Sequence, residues 1–522
     1  MKKIIYLILF VISQVFFFAC KDGMDLEVIN KNEPTLITLE TENGVMGAAL
    51  GIHWPSDYWR FWWTVQGFHE IMGDNTYVAW GNYSWRWAQQ NTWIDLDDGT
   101  RVAGGSQEEE LTSRNTRGQQ WDNPFRPEWQ VMYYMNNQAN MILDKLETTE
   151  FSGDAETKRS TLKAWCLWNK AFAYSRIGSI YKYGLIANEY GVLSDNYVDH
   201  DGMIVEANRL FDEAIVILQG LTDGGAYTST LGNCVPSYWH DGGLPSPQEW
   251  IRSINSYKAR NLLVNTRVAD MTPADWNTVQ TLADAGIQEG DAYFYVSDDP
   301  DLLAGSTMAA EFEYGWMFVS ERMVQDFKPG DDRFTRNFVQ TVAEINVRSR
   351  GIQFGSEWAL VSDGDYSTLE FGLIKYAVGV SYEENELMLA EAKINSGDID
   401  GGLAHIDAVR QYQNAQLADV ANTGLTLAQA KEELRRERRI GLYTRGLAFY
   451  DARRWGVIDD VSAGGGRTGC WVWADDGTKN TNATFNYNYM SYWDVPANET
   501  DFNPITGVVA SDITSSKDSN IK

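Results

Sequence analysis

Apolar side chains recur every three or four residues over long stretches of this 522-residue chain, and that spacing predicts amphipathic helices. Hydrophobic residues make up 44% of the chain and charged residues 22%, so the chain can form a large folded core. A helical stretch at 128–146 comes first. The later stretches follow one another in pairs: 155–186 with 204–221, 247–267 with 272–288, 382–396 with 400–411, and 427–442 with 447–455. The sequence therefore predicts an all-α fold built from helix pairs.

Long segments separate these helix pairs at irregular intervals. They cover residues 74–126, 224–246, 291–315, 331–365 and 456–504. Loops of this length in an ordered protein usually carry function, because a rigid scaffold presents them to a ligand. The helix pair around the Gly397-Asp398 turn resembles a tetratricopeptide repeat. We therefore expect a tetratricopeptide-type scaffold whose binding surface is made of long irregular loops.

The first twenty residues are typical of an export signal. Two lysines precede an apolar run at 4–19, which is too short for a comfortable membrane span and has the build of a secretory signal peptide. The run ends with a small residue and Cys20, which resembles a bacterial lipobox, although Phe17 stands where that pattern usually has leucine. The alternative is an ordinary signal peptide with an incidental cysteine. We expect a signal peptide at 1–19, lipid attachment at Cys20, and membrane association through the lipid anchor only.

The charge balance argues against several kinds of partner. Lys and Arg total 43 and Asp and Glu total 72, which gives a formal net charge of −29. Phosphate backbones and anionic lipid surfaces attract basic faces, so we expect neither nucleic-acid binding nor membrane docking by charge. Four cysteines and five histidines leave little material for a disulfide framework or a histidine-built metal site.

Two weaker features remain open at this point. A bridge between Cys234 and Cys470 could form in an oxidising compartment, since both lie in loop-like stretches. The Asp-Asp-Pro-Asp run at 298–301 could hold calcium, but it lacks EF-hand spacing and is more often a solvated turn. We therefore predict no metal site and no cofactor.

Aromatic residues carry the most informative chemistry of the sequence. Eight tryptophans lie between Trp54 and Trp93, and Trp59, Trp62 and Trp63 stand at helical spacing that predicts core positions. The following stretch lacks helical periodicity and mixes aromatic rings with Gly, Asn and Arg. Rings of this kind stack on sugars, while the polar groups can hydrogen-bond hydroxyls. We predict a ligand-binding site there, with a packed loop core as the alternative. The candidate residues are Trp80, Asn82, Tyr83, Trp85, Arg86 and Trp87, followed in rank by Trp239 and Tyr295.

The sequence carries no recognisable catalytic motif. It has no Gly-x-Ser-x-Gly elbow, no His-Glu-x-x-His helix and no phosphate-binding loop. With 72 acidic residues, some pair will always lie at glycosidase separation, so carboxylates alone indicate nothing. We expect no catalytic residues. A glycoside hydrolase on an α-helical scaffold is the enzymatic alternative.

Four regions together are characteristic of one known family. They lie at 20–51, 162–183, 320–333 and, most clearly, in a C-terminal block at 386–398, 433–438 and 446–456. That block contains the strings Glu-Leu-Arg-Arg-Glu-Arg and Asp-Ala-Arg-Arg-Trp-Gly. In content and order these regions resemble the SusD/RagB family of outer-membrane nutrient-binding lipoproteins. One departure is Tyr-Trp-Asp-Val-Pro at 492–496, where the family often has a Leu-Pro-Ile-Pro-like segment.

The charged residues of the C-terminal block are interpreted as structural. Glu391 and the arginine-rich run at 435–439 are expected to link helices through ion pairs, since charge runs on helices usually support packing. Arg453 and Arg454 stand at a predicted helix C-terminus, where cations are favourable. We therefore expect these side chains to hold the fold together and not to bind ligand.

The resemblance implies a function as well as a fold. It implies a SusD-like domain over 20–522, with an N-terminal part to about 310 and a C-terminal part from about 311. A protein of this kind sits on the outer face of the outer membrane, captures a glycan or other oligomeric nutrient, and passes it to a SusC-type TonB-dependent β-barrel. Family members that bind starch use an aromatic arc in loops after the first helices, so the resemblance indicates a region and no individual residue. The remaining alternative is a tetratricopeptide-type scaffold that binds peptides or a protein partner.

Overall fold

The computed structural model describes residues 39–57, 61–79, 84–240, 243–297, 315, 317–361, 364–366 and 375–504. The predicted signal peptide, Cys20 and the candidate calcium run at 298–301 lie outside these ranges. Over the described part of the chain, no helix combines the length and the apolar composition that crossing a bilayer requires.

Helices form most of the described scaffold. In chain order they are α1 Glu42–Leu50, α2 Trp54–Asp57, α3 Phe61–Met72, α4 Trp85–Ala88, α5 Gln107–Arg114, α6 Arg126–Leu146, α7 Ala155–Ile180, α8 His200–Gln219, α9 Gly225–Cys234, α10 Pro247–Asn265, α11 Pro273–Asp284, α12 Glu321–Val324, α13 Asp332–Asn337, α14 Tyr382–Asn395, α15 Ile399–Tyr412, α16 Leu427–Gly441, α17 Ala448–Arg454 and α18 Ala497–Thr500. All the predicted helix pairs are present, so the mostly helical scaffold is confirmed. The helix expected at 155–186 ends earlier, because Tyr183–Leu185 pairs as a strand with Tyr197–Asp199.

The long helix α7 forms the centre of the hydrophobic core. Trp165, Trp168 and Phe172 recur at helical spacing and their rings stack with centroids 5.6 and 5.5 Å apart. Phe294 meets both tryptophans edge to face, at 5.1 and 5.0 Å. The aromatic content of this helix is therefore used for packing, as offset and edge contacts between rings stabilise a buried core.

Helix ends follow the signals in the sequence. Thr272 accepts a hydrogen bond from the backbone N–H of Asp275 at 3.2 Å, and the Asp275 carboxylate accepts one from the Thr272 N–H at 2.9 Å. This capping box begins α11 with a proline in its first turn, as the Thr-Pro-Ala-Asp string predicts. Equivalent boxes begin α10 at Ser246 and α16 at Thr426.

An eight-stranded antiparallel sheet lies among the helices, and the all-α prediction did not include it. Its strands are β1 Thr76–Val78, β2 Trp93–Asp95, β3 Arg101–Ala103, β7 Met317–Val319, β8 Phe338–Ile345, β9 Phe354–Leu360, β11 Arg467–Ala474 and β12 Lys479–Asn486. The order is β1-β7-β9-β11-β12-β2-β3, with β8 also paired to β9. Two small sheets pair β4 Tyr183–Leu185 with β5 Tyr197–Asp199, and β6 Tyr295–Ser297 with β10 Lys375–Ala377.

Seven of the eight strands arise from segments that the sequence predicted as loops, and β7 at Met317–Val319 lies just beyond the segment 291–315. In the segment 456–504, strand β11 alternates buried and half-buried residues from Cys470 to Ala474, which is the period-2 pattern of a strand. An Asp-Asp-Gly-Thr turn follows, in which Gly477 adopts a φ of +86° and donates to the carbonyl of Ala474 at 3.0 Å. Alternation around an Asp-Gly pair is a hairpin signal. It was available in the sequence and was missed because the segment was classified by its lack of helical period.

The three described cysteines are buried free thiols. Cys234 ends α9 and its Sγ lies 3.6 Å from Sδ of Met46 in α1. Cys470 lies in β11. The bridge between Cys234 and Cys470 that the sequence left open is therefore not formed, and burial raises the pKa of Cys470 to about 11, which disfavours a reactive thiolate.

Candidate ligand-binding surfaces

The predicted aromatic site falls partly outside the described residues. Trp80, Asn82 and Tyr83 lie outside them, so their role stays a prediction. Trp85, Arg86 and Trp87 are described and form part of the short helix α4. The structure thus places half of the predicted first-rank set, and the three residues have different environments.

Trp85 is a core residue, which differs from the prediction of a stacking platform. Its side chain is 1% exposed, and its indole N–H donates to the carbonyl of Thr64 at 3.4 Å. The ring packs so closely on α3 that a Cβ added at Gly67 would lie 3.0 Å from it. A ring enclosed on this scale offers no face to a ligand. The packed-loop alternative is therefore the correct one for this residue.

Trp87 is half-buried and lies among arginines. The Arg86 guanidinium lies 3.6 Å from the ring centroid, and Arg114 at the end of α5 lies 4.8 Å from it. Burial, together with the charges of Arg350 and Arg114, lowers the pKa of Arg86. We call Trp87, Arg86 and Arg114 the Trp87 cluster. It combines a flat aromatic face with several N–H donors, which suits a ligand that has both C–H faces and hydroxyl oxygens.

The second-rank candidates come together around the small β6–β10 sheet. Trp239 is completely buried, with His53 3.5 Å from its ring, so the structure makes it a packing residue and not a ligand contact. Tyr295 in β6 is 8% exposed, and the Lys375 ammonium lies 4.7 Å from its ring. Tyr238 is half-buried and its carbonyl accepts a hydrogen bond from Ser297 at 3.2 Å. At this edge of the molecule, Tyr238 is therefore more exposed to solvent than Trp239 or Tyr295.

The β11–β12 hairpin presents an aromatic face that the sequence did not predict. Trp471 and Trp473 are half-buried and stand two residues apart on β11, so they share one side of the sheet about 7 Å apart. Lys479 pairs with Trp473 across the hairpin, and its ammonium lies 5.5 Å from each ring. Lys479 is also paired with the Glu357 carboxylate of β9. We call Trp471, Trp473 and Lys479 the hairpin face.

Comparison with known proteins identifies the scaffold. A sequence model of the SusD family matches residues 384–509. A SusD-like carbohydrate binding protein from Bacteroides fragilis NCTC 9343 aligns with a TM-score of 0.60 and 13% identity, covering 90% of this chain and 99% of that one. The chain therefore has a SusD-like fold, and residues 384–509 match the SusD family.

Two further solved structures have comparable similarity to this chain. A SusD superfamily protein from Bacteroides vulgatus ATCC 8482 aligns with a TM-score of 0.51 and 16% identity, covering 89% of this chain and 96% of that one. A structure with xylogluco-oligosaccharide aligns with a TM-score of 0.50 and 14% identity, covering 78% of this chain and 82% of that one. No curated protein sequence matches the chain.

The segment that matches the SusD family contains a set of buried ion pairs. Glu391 of α14 accepts two hydrogen bonds from Arg454 of α17, at 2.6 and 2.5 Å, and both side chains are fully enclosed. Arg438 of α16 binds Asp451 of α17 at 2.9 Å. These contacts fasten three helices to one another, as the sequence predicted for this block. Charged side chains that are buried and paired in this way are committed to the fold.

Arg453 is also structural, but its partners are carbonyls. Its guanidinium donates to the carbonyls of Ser179 and Val264 at 2.8 Å each, and to that of Ser491 at 3.0 Å. Ser179 and Val264 lie in the last turns of α7 and α10, where helix dipoles favour a cation. Arg453 therefore joins two helix C-termini to the C-terminal segment of the chain.

Proposed function

We propose that this SusD family protein binds a glycan at the cell surface and does not cleave it. The observation that carries the proposal is the Trp87 cluster, a half-buried indole beside two guanidinium groups on a SusD-like scaffold. An indole face gives a sugar ring a large contact area at little entropic cost, and guanidinium N–H groups donate to hydroxyl oxygens. The hairpin face supplies a second surface of similar composition.

The structural neighbours support a glycan as the ligand class. One is described as a SusD-like carbohydrate binding protein and another contains xylogluco-oligosaccharide. The likeness to each covers more than three quarters of this chain. We therefore choose neutral oligosaccharides, beginning with xyloglucan fragments, as the first ligands to test.

Binding without cleavage fits the carboxylates beside the hairpin face. Glu357 bonds Lys479, whose ammonium is also 3.9 Å from Glu321. Burial raises the pKa of Glu321, while the pKa of Glu357 is lowered by its hydrogen bonds to Lys479 and Gln340 against the effect of burial. Opposed shifts are typical of an acid–base pair. Glu321 has no exposed surface, however, so it has no route for protonating a glycosidic oxygen.

The experiment is a calorimetric titration of the purified protein with a panel of oligosaccharides, followed by a cleavage assay on each ligand that binds. We expect saturable binding of at least one glycan and no new reducing ends after many hours. A panel that gives no binding, while a peptide library does, would replace this proposal with the peptide-binding scaffold. Steady release of reducing ends would replace it with the hydrolase.

We further propose that the protein is a lipoprotein of the outer membrane that serves a SusC-type TonB-dependent β-barrel. The support is the lipobox-like sequence ending at Cys20 together with the SusD family match. In this mechanism the binding surfaces hold an oligosaccharide over the barrel, and the lipid anchor keeps the protein beside it.

The anchor is tested by Cys20→Ala, expressed with and without the barrel partner. We expect the variant to leave the membrane fraction when the barrel is absent, because the lipid is the proposed attachment. Retention of the variant in the outer membrane without the barrel would contradict the lipid anchor. Co-purification of the wild-type protein with the barrel tests the partnership separately.

A further inference from the structure

An arginine-lined cleft opens between α16, α12 and the start of β11. It has a volume of about 370 Å³, which is within the usual range of small-molecule sites. Five arginines line it: Arg322, Arg435, Arg436, Arg439 and Arg467. The lining carboxylates are Asp326 and Glu432, and Asp74 binds Arg322 beneath them. Among the described residues, the cleft thus gathers five cations against three anions in a chain whose net charge is −29.

Three of the five guanidinium groups are committed to carboxylates at short distances. Arg322 donates to both oxygens of Asp74, at 2.7 Å each. Arg435 and Arg439 share Asp326, at 2.6 and 2.7 Å. These three arginines therefore line the cleft as fixed side chains, and strong charge-assisted hydrogen bonds hold them in position.

Arg467 and Arg436 make fewer short contacts with carboxylates than the other three arginines do. The contacts of Arg467 are long, 3.5 Å to Asp74 and 3.5 Å to the carbonyl of Gly73. Arg467 lines both this cleft and a small enclosed cavity of about 20 Å³ beside it. Arg436 contacts Glu432 at 2.9 Å, and its side chain is 35% exposed. Both residues can donate further hydrogen bonds, since a guanidinium carries five N–H groups.

The electrostatic environment agrees with an excess of positive charge. Burial and the charge of Arg467 lower the pKa of Arg439, although Asp326 and Asp74 act in the opposite sense. Burial alone would raise the pKa of Asp74, yet Arg322, Arg439 and Arg467 hold it well below its usual range. An added anion would relieve the repulsion among these arginines.

We propose that this cleft binds the oxyanion of a small acidic molecule, a carboxylate or a sulfate, between Arg436 and Arg467. A guanidinium fork matches two oxygens of either group, and five arginines against three carboxylates leave the cleft with a net positive charge. The site is separate from the Trp87 cluster, so it would add an acidic ligand to the neutral glycan already proposed.

The test is calorimetry of the intact protein with sodium glucuronate, sodium sulfate and neutral glucose, all at one ionic strength. We expect saturable binding of one or both anions and none of glucose. Binding of glucuronate alone identifies a carboxylate-bearing sugar as the source, and binding of sulfate alone identifies a sulfate. If neither anion binds, the cleft is a structural ion-pair network and the proposal is wrong.

Variants localise the binding. Arg436→Gln should weaken the anion about tenfold while leaving binding of a neutral oligosaccharide unchanged. The matched control is Arg209→Gln, which removes a similarly exposed, ion-paired arginine from the surface of α8. Equal anion affinity in both variants would overturn the proposal. Arg467→Gln should weaken the anion further, and Arg436→Gln remains informative if that deeper variant does not fold.

Discussion

The C-terminal charged block and the N-terminal aromatic stretch were both conspicuous in the sequence, and the structure uses them in opposite ways. In the charged block, Glu391, Arg454 and their neighbours are buried and paired, as predicted. In the aromatic stretch, predicted to bind ligand, Trp85 is fully buried and Trp87 only half-buried, although the two are separated by one residue.

The comparison shows that a buried charge restricts its surroundings more strongly than an aromatic ring does. A buried charge without a partner is very unfavourable, so a run of Glu and Arg on packed helices implies pairing from the residue types alone. An indole is stable both in a core and at a ligand surface, because it is large, apolar and carries one N–H donor. Aromatic content alone therefore does not separate packing from binding.

Breaking the central ion pair should give one of the two largest effects. Glu391→Gln leaves Arg454 buried with one charged partner fewer, so we expect a loss of about 3–5 kcal/mol in the free energy of unfolding, measured by denaturant titration. The control is Glu213→Gln, which breaks the exposed pair with Arg209 and should cost less than about 1 kcal/mol. Similar losses in the two variants would show that burial does not decide the strength of these pairs.

Truncating the buried tryptophan should give a comparable loss of stability. Trp85→Ala removes a fully enclosed ring, and we expect about 3–5 kcal/mol less stability from lost burial and the resulting cavity. Thermal unfolding measures the effect. A nearly unchanged melting temperature, combined with lost glycan affinity, would return Trp85 to the ligand site and reverse its assignment to the core.

Glu70 is a buried glutamate whose hydrogen-bond donors are neutral, so the stability of the protein should depend on pH through this residue. Asn75 Nδ2 and the Gly446 N–H donate to Glu70 at 2.9 and 3.1 Å, and burial raises its pKa to about 7. The folded state therefore binds this proton more tightly than the unfolded state, whose carboxyl has its ordinary pKa of 4.5. Stability from this group is full below pH 4.5 and is lost as pH rises towards 7, by about 3 kcal/mol in total.

The variant Glu70→Gln removes this titration. Between pH 4 and pH 8 the free energy of unfolding of the wild type should fall by about 3 kcal/mol more than that of the variant. The reason is that only the wild type must bury a charge at pH 8. Denaturant titrations at the two pH values give the difference. Parallel pH dependence in both proteins would mean that folding does not shift the pKa of Glu70.

The smallest expected effect is on affinity. Trp87→Ala should weaken glycan binding by about 1–3 kcal/mol, a magnitude taken from stacking on nucleic-acid bases, with little change in melting temperature. The matched control is Phe502→Ala, which removes an exposed ring 4.7 Å from the Arg117 guanidinium. Equal affinity in Trp87→Ala and the wild type, with a loss in Trp471→Ala, would move the principal site to the hairpin face.

Local sequence patterns sufficed to predict the helical scaffold and the structural role of Glu391, Arg438 and Arg454. Helical periodicity and caps such as Thr272 are local signals, because the backbone hydrogen bonds they describe join residues only a few positions apart. The pairing of Glu391 was predictable for a related reason, since burial of a charge demands a partner wherever the helices pack.

Which aromatic rings face solvent and how the sheet is assembled depend instead on tertiary packing. Strand β12 pairs with β2 at Thr484 and Asp95, which lie far apart along the chain, and no local pattern specifies that partner. The same packing encloses Trp85 against Gly67 and leaves Trp87 half-buried. The physical reason is that exposure depends on what the rest of the chain places over a side chain, and that information is not local.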